Sequence, residues 1–115
     1  MHELGVVFHI VKSVKRIAKE NNLSEIASVT VEVGEVSTVI PAYLTDCWKW
    51  AMNKEDALLH TAKLVVETLP GVTFCEDCKQ TYGTVEFGKI CPYCKSEHTY
   101  LLQGNEFNIK EIEAC

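Results

Sequence analysis

The chain has 115 residues, a net charge of −5 and 47% apolar residues. A chain of this size can bury roughly two thirds of its unfolded surface, so the composition excludes a wholly disordered protein. An acidic chain lacks the clustered lysines and arginines that phosphate contacts need, which argues against nucleic acid as a partner.

No segment has the features of a targeting signal. The apolar run from Leu4 to Val11 contains His9 and follows Glu3, whereas a secretory signal begins with positive charge and has a longer apolar stretch. No run approaches the length of a transmembrane helix. We therefore expect a cytoplasmic protein without membrane contact, in which the six cysteines stay reduced and point to metal binding.

The first predicted element is an amphipathic helix from Leu4 to about Glu20. Residues at helical spacing form its apolar stripe, namely Leu4, Val7, Phe8, Val11, Val14 and Ala18. A strand follows from Ser28 to Gly34, because apolar and polar residues alternate there.

A second helix is predicted to begin near Pro41, a residue that suits the first helical position. Its apolar stripe consists of Leu44, Cys47, Trp48, Ala51 and Met52, which places Trp48 in the core and makes Cys47 a small core residue. Trp50 lies on another face, and we expect it at an edge or an interface. A second strand from Ala62 to Thr68 completes a strand–helix–strand unit, which predicts parallel pairing.

The cysteine region, Thr73 to about Thr99, begins after Pro70-Gly71 and has few large aliphatic residues. It cannot bury enough apolar surface to fold alone and needs a stabilising cross-link, which we call the staple. A last strand from Phe107 to Glu113 should return to the first sheet, and Ile112 is out of phase with Phe107, which predicts a bulge or a strand end near Glu111. The predicted fold is α/β, a small mixed sheet with two helices plus an inserted zinc-ribbon lobe. Residues 1–70 and 104–115 would form one domain and residues 71–103 the other.

Two Cys-x-x-Cys pairs, Cys75–Cys78 and Cys91–Cys94, are separated by twelve residues. This spacing is typical of a tetrahedral zinc site, because each short turn directs two sulfurs at one ion. Four thiolates fill the coordination sphere, so the predicted zinc is structural and not catalytic.

Other interpretations of these cysteines are weaker. Two disulfides would require an oxidising compartment, and a redox Cys-x-x-Cys normally occurs once, where a helix follows a strand. An iron–sulfur cluster can use four cysteines, but the paired turns favour zinc. His98 follows Cys94 by four residues and could replace a ligand, although a surface histidine is the preferred interpretation. Cys115 is interpreted as an exposed bystander thiol.

The sequence begins with Met1-His2-Glu3. A free α-amine, the backbone nitrogens of His2 and Glu3, and the His2 imidazole can form a planar four-nitrogen set, which suits Ni(II) or Cu(II) and disfavours zinc. A histidine at position two is weak evidence by itself. His9 and His60 lack partners at ligand spacing, and no catalytic arrangement or phosphate-binding loop is visible, so we do not expect an enzyme.

Several motifs together resemble the HypA/HybF family of hydrogenase maturation proteins. They are the start Met1-His2-Glu3-Leu4, the two cysteine pairs and the late segment Gln103-Gly104-Asn105-Glu106. The resemblance covers essentially the whole chain, and the motif order and spacing agree. One departure is that Lys79 and Lys95 follow the second cysteines, where some members carry histidines.

The resemblance implies a nickel metallochaperone for maturation of [NiFe]-hydrogenase, in some organisms also of urease. It places the nickel ligands at Met1, His2 and Glu3, and the zinc ligands at the four cysteines. The implied partners are a HypB-type nickel-binding GTPase and the hydrogenase large subunit precursor. A homodimer formed by domain exchange stays open. The alternative function is a zinc-ribbon adaptor that binds proteins and ignores nickel.

Overall fold

The computed structural model describes residues 3–114, so Met1, His2 and Cys115 lie outside the described residues. The helices are α1 (Glu3–Glu20), α2 (Pro41–Met52) and the short α3 (Thr84–Phe87). The strands are β1 (Ile26–Gly34), β2 (Lys63–Leu69), β3 (Val72–Cys75), β4 (Thr81–Gly83), β5 (Thr99–Gln103) and β6 (Phe107–Ala114). They form two three-stranded sheets, β2-β1-β6 and β4-β3-β5. The predicted α/β class with an inserted cysteine lobe is confirmed.

The described chain divides into two compact units. The first unit contains residues 3–32, 38–67 and 108–114, and the second unit contains residues 33–37 and 68–107. None of the described helices is both long enough and apolar enough to cross a membrane.

Helix α1 buries a stripe that differs in part from the predicted one. The buried apolar residues are Val7, Ile10, Val11, Val14 and Ala18. Phe8 was predicted to be in the core but is 53% exposed, whereas Ile10 is fully buried. The correction follows from helical geometry, because positions 7, 10, 11, 14 and 18 lie on one face at 3.6 residues per turn and position 8 lies about 100° away.

Helix α2 packs against α1, and its buried residues are Leu44, Trp48, Ala51 and Met52. The indole nitrogen of Trp48, which is 2% exposed, donates a hydrogen bond of 3.0 Å to the carbonyl oxygen of Ala62. Trp50 is 49% exposed, as predicted for an edge position. The prediction of Cys47 as a core residue was wrong, because this residue is only half-buried.

The first sheet is mixed, and backbone hydrogen bonds give the strand directions. The amide of Ile26, the first residue of β1, donates to Leu58 in the turn before β2, and the amide of Glu35, just after β1, donates to Leu69, the last residue of β2. These strands therefore run in the same direction, as the strand–helix–strand pattern predicted. The amide of Gly34, the last residue of β1, donates to Glu106, just before β6, so β6 runs in the opposite direction. Along β6 the burial pattern changes phase between Lys110 and Glu111.

The second unit contains an antiparallel sheet that the sequence analysis did not anticipate. Strand β3 pairs with β4 on one side and with β5 on the other. These strands have only three to five residues, too few for a clear two-residue alternation. Turns and pairing partners therefore determine them more than local composition does.

Three glycines, Gly34, Gly71 and Gly104, bring three backbone segments of the second unit into close contact. We call this arrangement the glycine crossing. A Cβ on Gly34 would overlap the carbonyl of Gly104, and a Cβ on Gly104 would lie 2.6 Å from the Cα of Gly71. Gly104 also has φ +122°, a region that side chains rarely adopt. The carboxylate of Glu35 accepts a 2.8 Å hydrogen bond from the amide of Gly71 and fixes two of the segments.

Candidate metal centre

The four predicted zinc ligands come together in the second unit. Cys75 ends β3 and Cys78 lies in the turn that follows, whereas Cys91 and Cys94 lie in the turn between α3 and β5. All four sulfur atoms lie within 4.8 Å of one another. The sulfurs of Cys75 and Cys94 are 3.6 Å apart, as are those of Cys78 and Cys91.

These distances fit a metal site and not disulfides. A disulfide requires sulfur atoms about 2.05 Å apart. A tetrahedron with metal–sulfur bonds of about 2.3 Å has sulfur–sulfur edges of about 3.8 Å, close to the two distances observed. The four thiols therefore have the arrangement that a tetrahedral thiolate site needs.

The two cysteine turns have the same backbone hydrogen bonds. The amide of Cys75 donates to Gln80 at 2.9 Å, and the amide of Cys91 donates to Ser96 at 3.0 Å. In each turn the amide of the lysine four residues later donates back to the first cysteine at 2.9 Å. Lys79 and Lys95 accordingly have φ of 62° and 64°, which closes the turns tightly. Both turns thus direct two sulfurs inward by the same local geometry.

The core around the sulfurs is small. Cys75, Cys91 and Tyr82 are buried together, with the half-buried Cys78 packed against them. The hydroxyl of Tyr82 donates a 2.9 Å hydrogen bond to the carbonyl oxygen of Gly88. A core with so little aliphatic surface supports the expectation that this region requires a staple.

The four thiols differ in how readily they ionise. The backbone N–H of Cys78 lowers the pKa of Cys75. Burial raises the pKa of Cys91, but the backbone N–H groups of its own turn, that of Cys94 first, outweigh burial and lower it to about 7. Burial raises the pKa of Cys78. The N–H of Ser96 favours the Cys94 thiolate, yet burial and the neighbouring thiols raise its pKa to about 12. Metal binding to this set therefore releases protons.

A polar cluster links the two cysteine turns and was missed by the sequence analysis. The carboxylate of Asp77 accepts hydrogen bonds from the Ser96 hydroxyl and, at 3.1 Å, from Nδ1 of His98. The pKa of Asp77 is lowered, first by Ser96 and then by His98. His98 thus faces Asp77 on the surface and is not in the thiol cluster. Asp77 lies two residues after Cys75 and Ser96 five residues after Cys91, so no shared position in the two turns pointed to this contact.

Of the predicted nickel ligands, Met1 and His2 lie outside the described residues. Glu3, the first residue of α1, is 7% exposed, and its carboxylate accepts a 3.1 Å hydrogen bond from the amide of Ile40. This bond fixes the start of α1 next to the start of α2. His60 pairs through Nδ1 with the carbonyl oxygen of Met52 at 3.1 Å. Within residues 3–114, the four cysteines are the only group of three or more metal-ligating side chains.

Comparison with known proteins assigns a family to this chain. The family model described as hydrogenase/urease nickel incorporation, metallochaperone, hypA matches residues 1–114. The hydrogenase maturation factor HypA of Shewanella oneidensis is 32% identical over 113 residues, which cover 98% of this chain and 94% of that protein. HypA of Albidiferax ferrireducens is 27% identical over 98% of both chains.

Solved structures share the fold. The solution structure of the Ni metallochaperone HypA from Helicobacter pylori has a TM-score of 0.69 at 22% identity and covers 97% of this chain and 96% of that chain. A second solution structure of a HypA protein has a TM-score of 0.73 at 23% identity, and the match covers 100% of this chain and 97% of that chain. The chain belongs to the HypA family of hydrogenase and urease nickel-incorporation metallochaperones.

Proposed function

We propose that this protein delivers Ni(II) for maturation of [NiFe]-hydrogenase, with urease as a further target, and that it carries a structural zinc ion. The observation that carries the proposal is the match of residues 1–114 to the nickel-incorporation family. On this proposal residues 71–103 form the zinc domain, and residues 1–70 and 104–115 form the nickel domain. The protein acts as a carrier and not as a catalyst.

Zinc is the metal that best suits the four cysteines Cys75, Cys78, Cys91 and Cys94. Zinc accepts a tetrahedral four-thiolate set without a preference for planar geometry. The sulfur–sulfur distances of 3.6 Å support such a set. Because four thiolates leave no open position, this zinc would hold the lobe together, and the nickel cargo requires a second site.

Nickel would bind at the amino terminus, in a chain that begins with a free Met1 amine. The amine, the backbone nitrogens of His2 and Glu3, and the imidazole of His2 supply four planar nitrogens, the arrangement that Ni(II) accepts. The bond between the Glu3 carboxylate and the Ile40 amide supports this site, because it anchors the residue next to His2. Protons compete for the amine and the imidazole, so nickel affinity should fall as the pH drops below neutral.

The proposed partners are a HypB-type nickel-binding GTPase and the hydrogenase large subunit precursor, in the cytoplasm. A basic face of α1 supports an acidic docking partner, because His9, Lys12, Ser13 and Arg16 line a shallow cleft of about 370 Å³. Reversing the charge of Lys12 should slow association with the GTPase, mainly through the association rate at low salt. An unchanged rate would show that this face is only solvated.

A zinc-ribbon adaptor is the second candidate function. The specific observation in its favour is that the second unit exposes large apolar side chains, among them Val85, Phe87, Ile90, Tyr93 and Tyr100. Such side chains are common at protein-binding surfaces. An adaptor would bind its partner in the absence of nickel and would ignore nickel in a titration.

Nickel titration of untagged protein separates the two functions. We expect His2→Ala to abolish nickel binding and to leave the zinc content and the fold unchanged, because the two proposed sites share no residue. Adding one residue before Met1 should weaken nickel binding, since it converts the amine into an amide. The absorbance of planar Ni(II) gives the readout. Equal nickel affinity of the extended and native proteins would rule out this ligand set.

A further inference from the structure

Three side chains that are not metal ligands join the two cysteine turns of the second unit. The hydroxyl of Ser96, two residues after Cys94 in the second turn, donates a hydrogen bond to the carboxylate of Asp77 in the first turn. Nδ1 of His98 donates to the same carboxylate oxygen at 3.1 Å. We call these two bonds, made by Asp77, Ser96 and His98, the turn bridge.

Backbone bonds fix the geometry of the turn bridge. The amide of His98 donates to the hydroxyl oxygen of Ser96 at 2.9 Å, which leaves the hydroxyl proton free for the carboxylate. The amide of Glu76 donates to the carbonyl oxygen of His98 at 2.9 Å, just beyond the last residue pair between β3 and β5. The turn bridge therefore extends, through side chains, the contact that these two strands make through their backbones.

The turn bridge acts next to the most exposed cysteine of the metal site. Cys94 is exposed, whereas the other three cysteines of the site are buried or half-buried. A site closed by four thiolates has no free position, so its ion leaves only after a ligand has been displaced. Cys94 is the ligand that solvent reaches most easily, and Ser96 contacts it through its backbone N–H while its hydroxyl bonds to Asp77.

We propose that Asp77 and Ser96 are positioning residues that slow release of the metal ion, because they hold the turn that carries Cys94 against the first turn. This inference rests on the zinc site of the proposed function. Charge alone predicts the opposite for Asp77, since a carboxylate repels a zinc ion surrounded by four thiolates, a complex of net negative charge. Loss of this carboxylate would then slow release, whereas loss of the turn bridge speeds it up.

The test measures how fast the zinc-loaded full chain passes its zinc to an excess of a colorimetric chelator. Asp77→Ala and Ser96→Ala should each release zinc roughly fivefold faster, the size expected for one partly exposed hydrogen bond to a carboxylate. The double variant should release zinc about as fast as Asp77→Ala alone, because both changes remove the same bond. Ser96→Thr keeps a hydroxyl at this position and should restore the slow rate.

The similar backbones of the two turns supply a matched control. Tyr93 stands in the second turn where Asp77 stands in the first, and Gln80 stands in the first turn where Ser96 stands in the second. Both control residues are exposed, so Tyr93→Ala with Gln80→Ala should leave the release rate unchanged. In zinc-loaded Ser96→Ala, amide hydrogen exchange should become faster in residues 91–96 and stay unchanged in β3 and β5.

Zinc content, measured before the chelator is added, separates failure of the turn bridge from failure of the zinc site. In a protein that holds one zinc per chain, the turn bridge alone is overturned by an unchanged rate in Ser96→Ala, by slower release from Asp77→Ala, or by additive effects in the double variant. Equal acceleration in the control, or faster exchange throughout β3 and β5, overturns it as well, because either result means general loosening. A protein that binds no zinc overturns the zinc site and the turn bridge together.

Discussion

The two units of this molecule are stabilised in different ways. The first unit buries an aliphatic core in which Val7, Ile10, Val14, Leu44 and Leu59 are fully inaccessible. In the second unit, the only aliphatic side chain buried among the described residues is Val33, and the remaining apolar core consists of Cys75, Tyr82 and Cys91. The comparison teaches that one short chain can combine a unit held by apolar burial with a unit whose small core is built around four thiols arranged to suit a metal ion.

The largest expected effect is the loss of the second unit in Cys75→Ala. Structural zinc contributes on the order of 10 kcal/mol in small modules, more than any other single contact in this chain can supply. Amide hydrogen exchange of residues 72–103 should become fast, whereas that of residues 3–32 stays slow. Cys47→Ala, which removes a half-buried thiol of the first unit, is the matched control and should leave both units protected. Unchanged exchange in residues 72–103 would refute the staple.

The reverse experiment weakens the first unit. Leu44→Ala removes a fully buried side chain and should lower the free energy of unfolding by about 2–5 kcal/mol, through lost burial and a cavity. Denaturant unfolding followed by tryptophan fluorescence measures this loss, since both tryptophans lie in the first unit. Val85→Ala, at a side chain that is 66% exposed in the second unit, should change the free energy of unfolding by less than about 0.5 kcal/mol. If the loss of unfolding free energy caused by Leu44→Ala disappeared once a chelator had removed the metal, the core of the first unit would depend on the metal.

An intermediate effect tests whether zinc alone holds the second unit. Gly104→Ala places a Cβ against Gly71 at a residue with φ +122°, and should cost about 2 kcal/mol or more even with metal present. Gly83→Ala is the control in the same unit, because no atom lies within 4 Å of the added Cβ. The unfolding temperatures of the two variants, measured on zinc-loaded protein, give the comparison. Equal unfolding temperatures for the two variants would show that the glycine crossing is dispensable.

The smallest effect concerns the surface of the first unit. Lys15 and Glu55 form a salt bridge of 2.8 Å, with the lysine side chain 48% exposed. Lys15→Ala should lower the free energy of unfolding by only about 0.2–1 kcal/mol, because water screens such a pair. High salt should reduce the difference from the unaltered protein further. A loss comparable to that of Leu44→Ala would contradict the view that apolar burial stabilises this unit.

Local patterns predicted the parts of the structure that local geometry determines. The Cys-x-x-Cys turns could be predicted because each turn directs its own two sulfurs, and the order of the long helices and strands followed from apolar periodicity. Phe8 was misplaced because a broad apolar stretch leaves the phase of the stripe ambiguous, and packing selects Ile10 instead.

Contacts between distant residues could not be predicted in the same way. The bond from Ser96 to Asp77 depends on how two turns nineteen residues apart face each other. The strands β3, β4 and β5 are defined by their pairing, which short sequences do not encode alone. The predicted nickel ligands Met1, His2 and Glu3 and the predicted domain limits remain predictions, for which the titrations and exchange measurements above are the tests.

The glycine crossing has a consequence for the order of events during synthesis. Its three segments come from positions 34, 71 and 104, so the second unit cannot close until Gly104 has been added. All four cysteines precede Gly104 along the chain. Domains commonly fold as units from the amino terminus onward while the chain grows, but contacts of such long sequence separation delay closure here. A complete set of thiols is therefore available to a metal ion on the growing chain before the backbone around them is locked.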